Sequence, residues 1–251
     1  MLLKEPFISN LTDKNKDLFI EDMVKEGRAE MRSFAPMEED HYQYGRPNVS
    51  FMVNKNGQLY IVLSINALCH SIIGSPTIEK ILIAYDYDFR KRKPESVGSI
   101  FGFANEEKRY ITTFNVKSSY RGTGIGGYLM HSINEEFSKY FPETNFLCLD
   151  CDKSQDAENE DKYANWRFEQ NGPKYGSLQP MQRDERNPLV QQFKELWLAK
   201  YTDNLNKRIT PETQAKLNEI ATEIKEKLNV VYDEQQESAR ALQRLMKHLK
   251  K

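Results

Sequence analysis

Cysteine is scarce in this chain: Cys69, Cys148 and Cys151 are the only three in 251 residues. A count this low and odd excludes a disulfide framework and points to a reducing compartment, so the cytoplasm is the expected location. Neither sign of charge is in excess, because 36 Lys and Arg face 37 Asp and Glu and the formal net charge is -1. No global field draws the chain to nucleic acid or to an anionic membrane, and any charged partner has to be met locally. Long apolar runs are missing too. Nothing approaches the roughly 20 residues that a bilayer-spanning helix needs, and the opening MLLKEPF lacks the apolar core of a signal peptide. A soluble protein is expected. Glycine disappears from residue 183 onward, which divides the chain into residues 1–182 and a helical extension, 183–251, read as a helical hairpin or coiled coil.

Where glycine is plentiful, it is concentrated. From Ile111 to Phe137 the sequence runs ITTFNVKSSY, RGTGIGGYLM, HSINEEF. The alternating, β-branched opening predicts a strand, and Ile125, Leu129, Ile133 and Phe137 recur at the spacing of a buried helical stripe. Gly122, Gly124, Gly126 and Gly127 leave the backbone uncovered between strand and helix. Amides at the helix N-terminus can then converge on an anion, helped by the positive end of the helix dipole. This is a cradle for phosphate or pyrophosphate. The dinucleotide fingerprint G-x-G-x-x-G does not fit, and neither does a P-loop with its Lys-Ser/Thr pair.

R-x-x-G-x-G does fit, at Arg121, Gly124 and Gly126, with Val116 five residues upstream. Here the chain resembles the GNAT superfamily of acyl-CoA-dependent N-acyltransferases, whose coenzyme motif reads roughly V-x-x-x-x-R-G-x-G-I-G before a long helix. The similarity covers residues 79–176. It implies an α+β fold, a mixed, mostly antiparallel twisted sheet flanked by helices, with acetyl-CoA as co-substrate. Asn115 and Val116 are expected to pair with the pantetheine arm. Arg121, Gly122, Thr123, Gly124, Ile125, Gly126 and Gly127 are expected to hold the pyrophosphate.

The rest of the chain is read around that core. Residues 12–33 form a first helix, with Thr12 and Asp13 as caps. NVSFMV and QLYIVLSI flank an Asn-Gly turn and predict a hairpin at 49–65. ALCHSIIG suits a short helix. KILIAYDYD and SVGSIFGFA are two more strands, joined by a loop whose Arg90, Lys91, Arg92 and Lys93 are read as a solvated tip. NFLCLDC is a buried strand beside the coenzyme strand. Its C-x-x-C does not make a metal site, because residues three apart on a strand face opposite sides, and no metal is expected. Trp166 is read as core in preference to a substrate platform. Asn187-Pro188 and Thr210-Pro211 open two helices. Leu217, Ile220, Ile224, Leu228, Val231, Leu242, Leu245 and Leu249 mark a stripe along the second. That stripe is to be buried either within the chain or in a homodimer or other partner contact through 187–251.

DKYANWRFEQNG resembles the second GNAT helix motif, roughly N-x-x-A-x-x-L-Y-x-x-x-G-F. Matched residue by residue, Asp161 stands for the Asn, Ala164 for the Ala, Phe168 for the Tyr and Gly172 for the Gly, which puts Asp161 and Phe168 at the coenzyme. The family's Tyr protonates the departing thiolate, and a phenyl ring has no proton to give. Tyr163 or Tyr175 is the substitute, or else water. The family's glutamate base, six residues before Val116, is replaced by Tyr110, leaving Glu106, Glu107, Asp150 and Asp152 as bases. The acidic run Asp150, Asp152, Asp156, Glu158, Glu160 and Asp161 is either an attractor for a cationic amine or a solvated loop. Tyr110, Tyr163 and Asp150 are the catalytic candidates. The expected function is an N-acetyltransferase acting on a protein amine or a small polycation, with no membrane partner. A non-catalytic acyl-CoA sensor and an interaction protein working through the C-terminal helices are the alternatives.

Overall fold

Runs of β-branched and aromatic residues build a meander of five antiparallel strands: β1 (Tyr42–Val53), β2 (Leu59–His70), β3 (Pro76–Asp88), β4 (Lys93–Ala104) and β5 (Arg109–Val116). Helix α2 (Ile125–Tyr140) carries the chain to β6 (Phe146–Asp152), which pairs parallel to β5. A short helix α3 (Asn159–Asn165), β7 (Glu169–Gln170) and β8 (Leu178–Asp184) follow, then α4 (Pro188–Tyr201) and α5 (Pro211–Leu249); a helix at Asp13–Ser33, α1, precedes the sheet. The computed structural model describes residues 10–11, 13–33, 42–54, 57–70, 76–152, 154, 159–201 and 210–249. The strands form one eight-stranded sheet in the order β1-β2-β3-β4-β5-β6-β8-β7. Both the α+β class and the order of elements are those implied by the GNAT resemblance.

Two helical layers cover the sheet. Ile125, Leu129, Ile133 and Phe137 of α2 are fully buried on one face, against Ile100, Ile111, Leu147 and Leu149. On the other face, Phe19, Ile20 and Met23 of α1 join Leu217, Ile220, Ile224 and Leu228 of α5 over Ile61, Leu63, Ile83 and Tyr85. The two helices approach closely where Gly27 meets Leu228, since a Cβ at Gly27 would lie 2.8 Å from that side chain. Alternation of burial along β6 puts Leu147, Leu149 and Cys151 on the α2 side and the half-buried Cys148, Asp150 and Asp152 on the other. Cys148 and Cys151 are thiols outside any disulfide, and among the described residues no cluster of His, Cys, Asp or Glu is placed to hold a metal. No described helix is long and apolar enough to cross a membrane.

Three expectations change. The apolar run ALCH is the end of β2 and not a helix, paired with β3 out to His70↔Pro76; residues 71–75 lie outside the described ones. The boundary at 182/183 falls inside β8, where Gln182 and Arg183 pair with Cys148 and Leu147. The C-terminal helix is not an appendage either. Its stripe closes the sheet's second face as far as Val231, while the side chains of Leu242, Leu245 and Leu249 lie outside the described residues. The helices expected to open at Asn187-Pro188 and Thr210-Pro211 do start there, with Asn187 Oδ1 accepting from Leu189 N–H at 2.9 Å and Thr210 Oγ1 from Thr213 N–H at 3.2 Å.

Because Ile224 is 1% exposed in this layer, Ile224→Ala is expected to cost about 2–5 kcal/mol of unfolding free energy, measured by urea denaturation. A cost under about 0.5 kcal/mol, typical of a surface substitution, would show that α5 contributes nothing to the core.

Candidate functional site

The site begins with an extra residue. Between the pairs Phe101↔Thr113 and Gly102↔Ile111, Thr112 bulges from β5, and the close backbone there requires glycine: a Cβ on Gly102 would sit 2.4 Å from the Tyr110 carbonyl oxygen. Pairing of β5 with β6 ends at the same place, after Ile111↔Leu149. The two parallel strands then diverge, Thr113–Val116 staying with β4 while Asp150–Asp152 stays with β8. A wedge opens between them, and among the described residues the β6-facing edge of β5 has no strand partner over Thr113–Val116. An extended, amide-bearing ligand can use such an edge as an added strand.

The Gly-rich turn closes the wide end of the wedge. After Val116 the chain makes a single 3-10 turn, Ser118–Tyr120, and Gly122 (φ +69°) and Gly124 (φ +101°) adopt the left-handed conformation, Gly124 as the N-cap of α2. Those two positions require glycine for the turn itself. The first amides of α2 have no intrahelical acceptor and point toward the turn. Arg121 folds back so that Nε donates to the Val116 carbonyl at 3.3 Å, and Thr123 Oγ1 donates to the Tyr120 carbonyl at 2.6 Å. Asn115 and Val116 lie at the wedge's edge, Asn115 exposed on the face away from α2.

The last two glycines do something else. A Cβ on Gly126 would come 3.1 Å from the Phe114 ring and 3.5 Å from both Trp166 and Val116, so β5, α2 and the end of α3 meet over it. Gly127 is covered by Trp197 of α4, whose indole would lie 2.5 Å from a Cβ there. Ile125 is fully buried. Of the seven residues expected at the pyrophosphate, Gly127 and Ile125 thus serve packing through their side-chain positions, and only their amides face the turn. Trp166 does belong to the core, tilted against Phe114 at 5.6 Å.

The end of α3 revises the second motif. The helix stops at Asn165, Arg167 adopts φ +66°, and Phe168 N–H bonds back to the Tyr163 carbonyl at 3.1 Å while Arg167 N–H bonds to Ala164 at 2.9 Å. This is a Schellman ending with Arg167 in the left-handed position usually held by glycine. Arg167 therefore stands where Y-x-x-x-G-F has its Gly, and Phe168 where it has its Phe. Counting back four, Tyr163 falls on the motif's Tyr. Phe168 is then a core residue, 2% exposed, with the Arg183 guanidinium 5.0 Å over its ring, and it does not line the wedge. Asp161 is exposed on α3 and loses its place in the motif to Asp156, which lies outside the described residues. Burial pushes the Tyr163 hydroxyl up to about 12, with Cys151 of β6 adding to the shift.

On the opposite face of β6, the Tyr110 hydroxyl donates to Asp150 Oδ2 at 2.5 Å, and the exposed Tyr175 donates to the same oxygen. Among the described residues, Oδ1 makes no hydrogen bond. Burial first, and then Asp150, raise Tyr110 well above the ordinary phenol range; Asp150 raises Tyr175. Of the other acids, Glu106 and Glu107 are exposed in the β4–β5 turn, at the end of β5 remote from the wedge. Asp152 is held below the usual carboxylate range by Ser154. Tyr110, Asp150 and Tyr175 form one cluster, and Tyr163 sits across the strand from it. Tyr175 was foreseen only as an alternative acid, and nothing in the sequence pairs it with Asp150.

No family model matches this chain, and no curated protein matches it. Among solved structures it is similar to the PaiA N-acetyltransferase of Thermoplasma acidophilum in complex with coenzyme A, at 17% identity over 41% of this chain and 59% of that one, with a TM-score of 0.34. It is also similar to Ard1 of Thermoplasma volcanium, at 20% identity over 41% and 69% with a TM-score of 0.33. Arabidopsis thaliana Naa50 in complex with the bisubstrate analogue CoA-Ac-MVNAL gives 21% over 41% and 72%, also at 0.33. Overlaps this partial leave the functional reading to the geometry of the site.

The revised motif gives a prediction whose sign discriminates. If Arg167 is the left-handed helix cap, Arg167→Gly relieves backbone strain and is neutral or stabilising, by up to about 1 kcal/mol. If the helix instead continued to Phe168, the same change would cost about 1 kcal/mol. Thermal unfolding of the two proteins decides between them.

Proposed function

We propose that this chain, with its GNAT-type fold, is an acetyl-CoA-dependent N-acetyltransferase that acylates a primary amine of a protein. The wedge between β5 and β6, with the glycine turn and the α2 N-terminus at its mouth, is the observation that carries this reading. Thr113–Val116 present the edge that a pantetheine arm would extend, and the amides of residues 123–127 would take the diphosphate. Binding energy gathered along that arm would hold the thioester carbonyl between the two faces of the sheet, so remote contacts serve the reacting centre.

The chemistry then divides between the faces. An ammonium approaching from the Tyr110 side gives its proton to Asp150 Oδ1, directly or through one water, with Tyr110 and Tyr175 fixing the carboxylate through Oδ2. The neutral amine attacks the carbonyl carbon. A C–N bond forms, the C–S bond breaks, and the departing thiolate takes the Tyr163 proton; the second proton of the acylated nitrogen passes to water, which reprotonates Tyr163, and Asp150 releases its proton to solvent. The products are an amide and the free thiol. Tyr163 suits the acid role because its raised value keeps it protonated throughout the range in which the amine is neutral. Asp150 and Asp152 border the acceptor side and would draw a cationic acceptor. With Tyr163 as the acid, the phenylalanine at 168 does not favour a non-catalytic sensor.

Isothermal titration with acetyl-CoA is expected to give saturable 1:1 binding, and no binding at millimolar ligand would overturn the reading. With an acceptor in hand, Tyr163→Phe should lower kcat by about 10- to 100-fold, with little change in KM for acetyl-CoA, and Asp150→Asn by about 100-fold. The rate should rise with pH as the amine loses its proton. It should show no basic limb from Tyr163 below about pH 11, since a group raised in pKa keeps its proton.

A further inference from the structure

The turn that would hold the diphosphate is tied to a distant strand through Tyr120. Its hydroxyl donates to Asp86 Oδ2 on β3 at 3.0 Å, and its ring meets Tyr60 of β2 edge-on at 6.0 Å. Within the turn its N–H donates to the Lys117 carbonyl at 2.9 Å, and its own carbonyl takes the Thr123 hydroxyl at 2.6 Å. Tyr120 is therefore the joint between the glycine turn and the sheet. Asp86 is itself held from two sides: Gln58 Nε2 donates to Oδ2 at 2.9 Å, and the Tyr87 N–H donates to Oδ1 at 2.9 Å. Gln58 comes from the β1–β2 turn, where Asn54 Oδ1 receives its N–H at 2.9 Å and Asn54 Nδ2 donates to the Tyr60 hydroxyl at 3.1 Å. A chain of side chains thus runs from the first hairpin through Asp86 to the residue that precedes Arg121.

We propose that Asp86, acting through the Tyr120 hydroxyl, positions the glycine turn in its anion-receiving conformation before coenzyme binds. Neither residue is placed to touch the diphosphate through its own charge. Both are positioning residues, and the inference rests on the acyl-CoA reading above. The physical reason is entropic. Gly122 and Gly124 give the turn many conformations, and the amides converge on an anion only if one of them is already selected, so the cost of ordering the turn is met during folding. A hydrogen bond to a carboxylate, anchored on a strand in mid-sheet, supplies that selection. Tyr120 keeps its proton to donate, since burial and Asp86 raise it to about 12.

The test compares two ligands that share the pantetheine arm, one with the diphosphate and its nucleoside and one without them. Tyr120→Phe retains the packing on Tyr60 and removes only the bond to Asp86. It is expected to weaken binding of CoA about tenfold by isothermal titration, as for loss of one ordering hydrogen bond. Binding of S-acetylpantetheine, which lacks the diphosphate, should stay unchanged by ligand-observed NMR. Asp86→Ala should weaken CoA by at least as much, and adding Tyr120→Phe to it should cost nothing more, because the two residues act as a unit. Unchanged CoA affinity in Tyr120→Phe, or an equal loss for both ligands, would overturn the proposal while leaving the acyl-CoA reading intact. A folded wild-type chain that binds neither ligand overturns both. Should Tyr120→Phe fail to fold, the ligand comparison on Asp86→Ala carries the same outcomes.

Discussion

The site depends on a failure of pairing between two strands. Parallel strands of equal twist ordinarily continue side by side, and β5 and β6 do so for only three residues. The bulge at Thr112 bends β5 toward β4, and its backbone can come so close only because residue 102 is glycine. Every feature of the candidate site lies downstream of that bend. The unpaired edge over Thr113–Val116, the wedge that widens toward the C-terminal ends of the strands, and the placement of the α2 N-terminus at its mouth all follow from one residue inserted into one ladder. The cost of leaving strand edge unpaired is tolerated because α2 covers the wedge from one side with four fully buried side chains, and a buried polar network ties the strands together below it. In that network Arg109 reaches Asn134 at 3.1 Å, Asn134 reaches Glu185 at 2.9 Å, and Arg183 reaches Glu185 at 2.6 Å. Arg183 also donates to the Trp166 carbonyl, so the bottom of the sheet and the end of α3 are held by the same charges.

The two helical layers are unequal, and the inequality matters for access. On the α2 side, apolar packing extends across the sheet from Met52 of β1 to Met181 of β8. On the other side α1 and α5 cover β1–β3, and the described part of their core ends at Ile83, Tyr85 and Tyr87. The face of β4–β6 bearing Phe103, Tyr110, Cys148 and Asp150 lies beyond that layer. Lys108 lies over the Phe103–Tyr110 stack, 5.0 Å from the Tyr110 ring, which shows that this face accommodates an ammonium group on aromatic rings. The C-terminal helix, which on sequence alone was an extension, is what gives β1–β3 a second face to bury.

Legibility followed the range of the interactions. The glycine turn and the helix after it could be read from Arg121 to Phe137 because glycine at a turn and apolar residues four apart on a helix are local signals. The strands were equally plain, from β-branched runs around Asn-Gly and a charged tip. Three things escaped. ALCH was misread because a short apolar run has no periodicity to separate strand from helix, and only pairing with β3 decides it. The end of α3 was misread by five residues because the left-handed position is held by Arg167, where a glycine would have announced it. The stripe on α5 was visible, but amphipathicity says that a face is buried and not what buries it, so the contact with α1 through Gly27 had no sequence signal.

The candidate acid and base could not have been assigned from spacing, because their relation is set by the pleat of one strand. Asp150 and Cys151 are neighbours on β6, and alternation sends them to opposite faces: Asp150 toward Tyr110 and Tyr175, Cys151 toward Tyr163. A reaction held at the wedge would thus meet a carboxylate on one side and a protonated phenol on the other. This separation is what a direct transfer needs. If acid and base shared a face, the base could take the acid's proton in place of the amine's, and the nucleophile and the leaving group would compete for one opening. In the proposed reaction, with the sheet between them, the proton removed from the amine and the proton given to the thiolate would travel by different routes. The order of the two transfers would then be set by the chemistry at the carbonyl carbon and not by exchange between Asp150 and Tyr163.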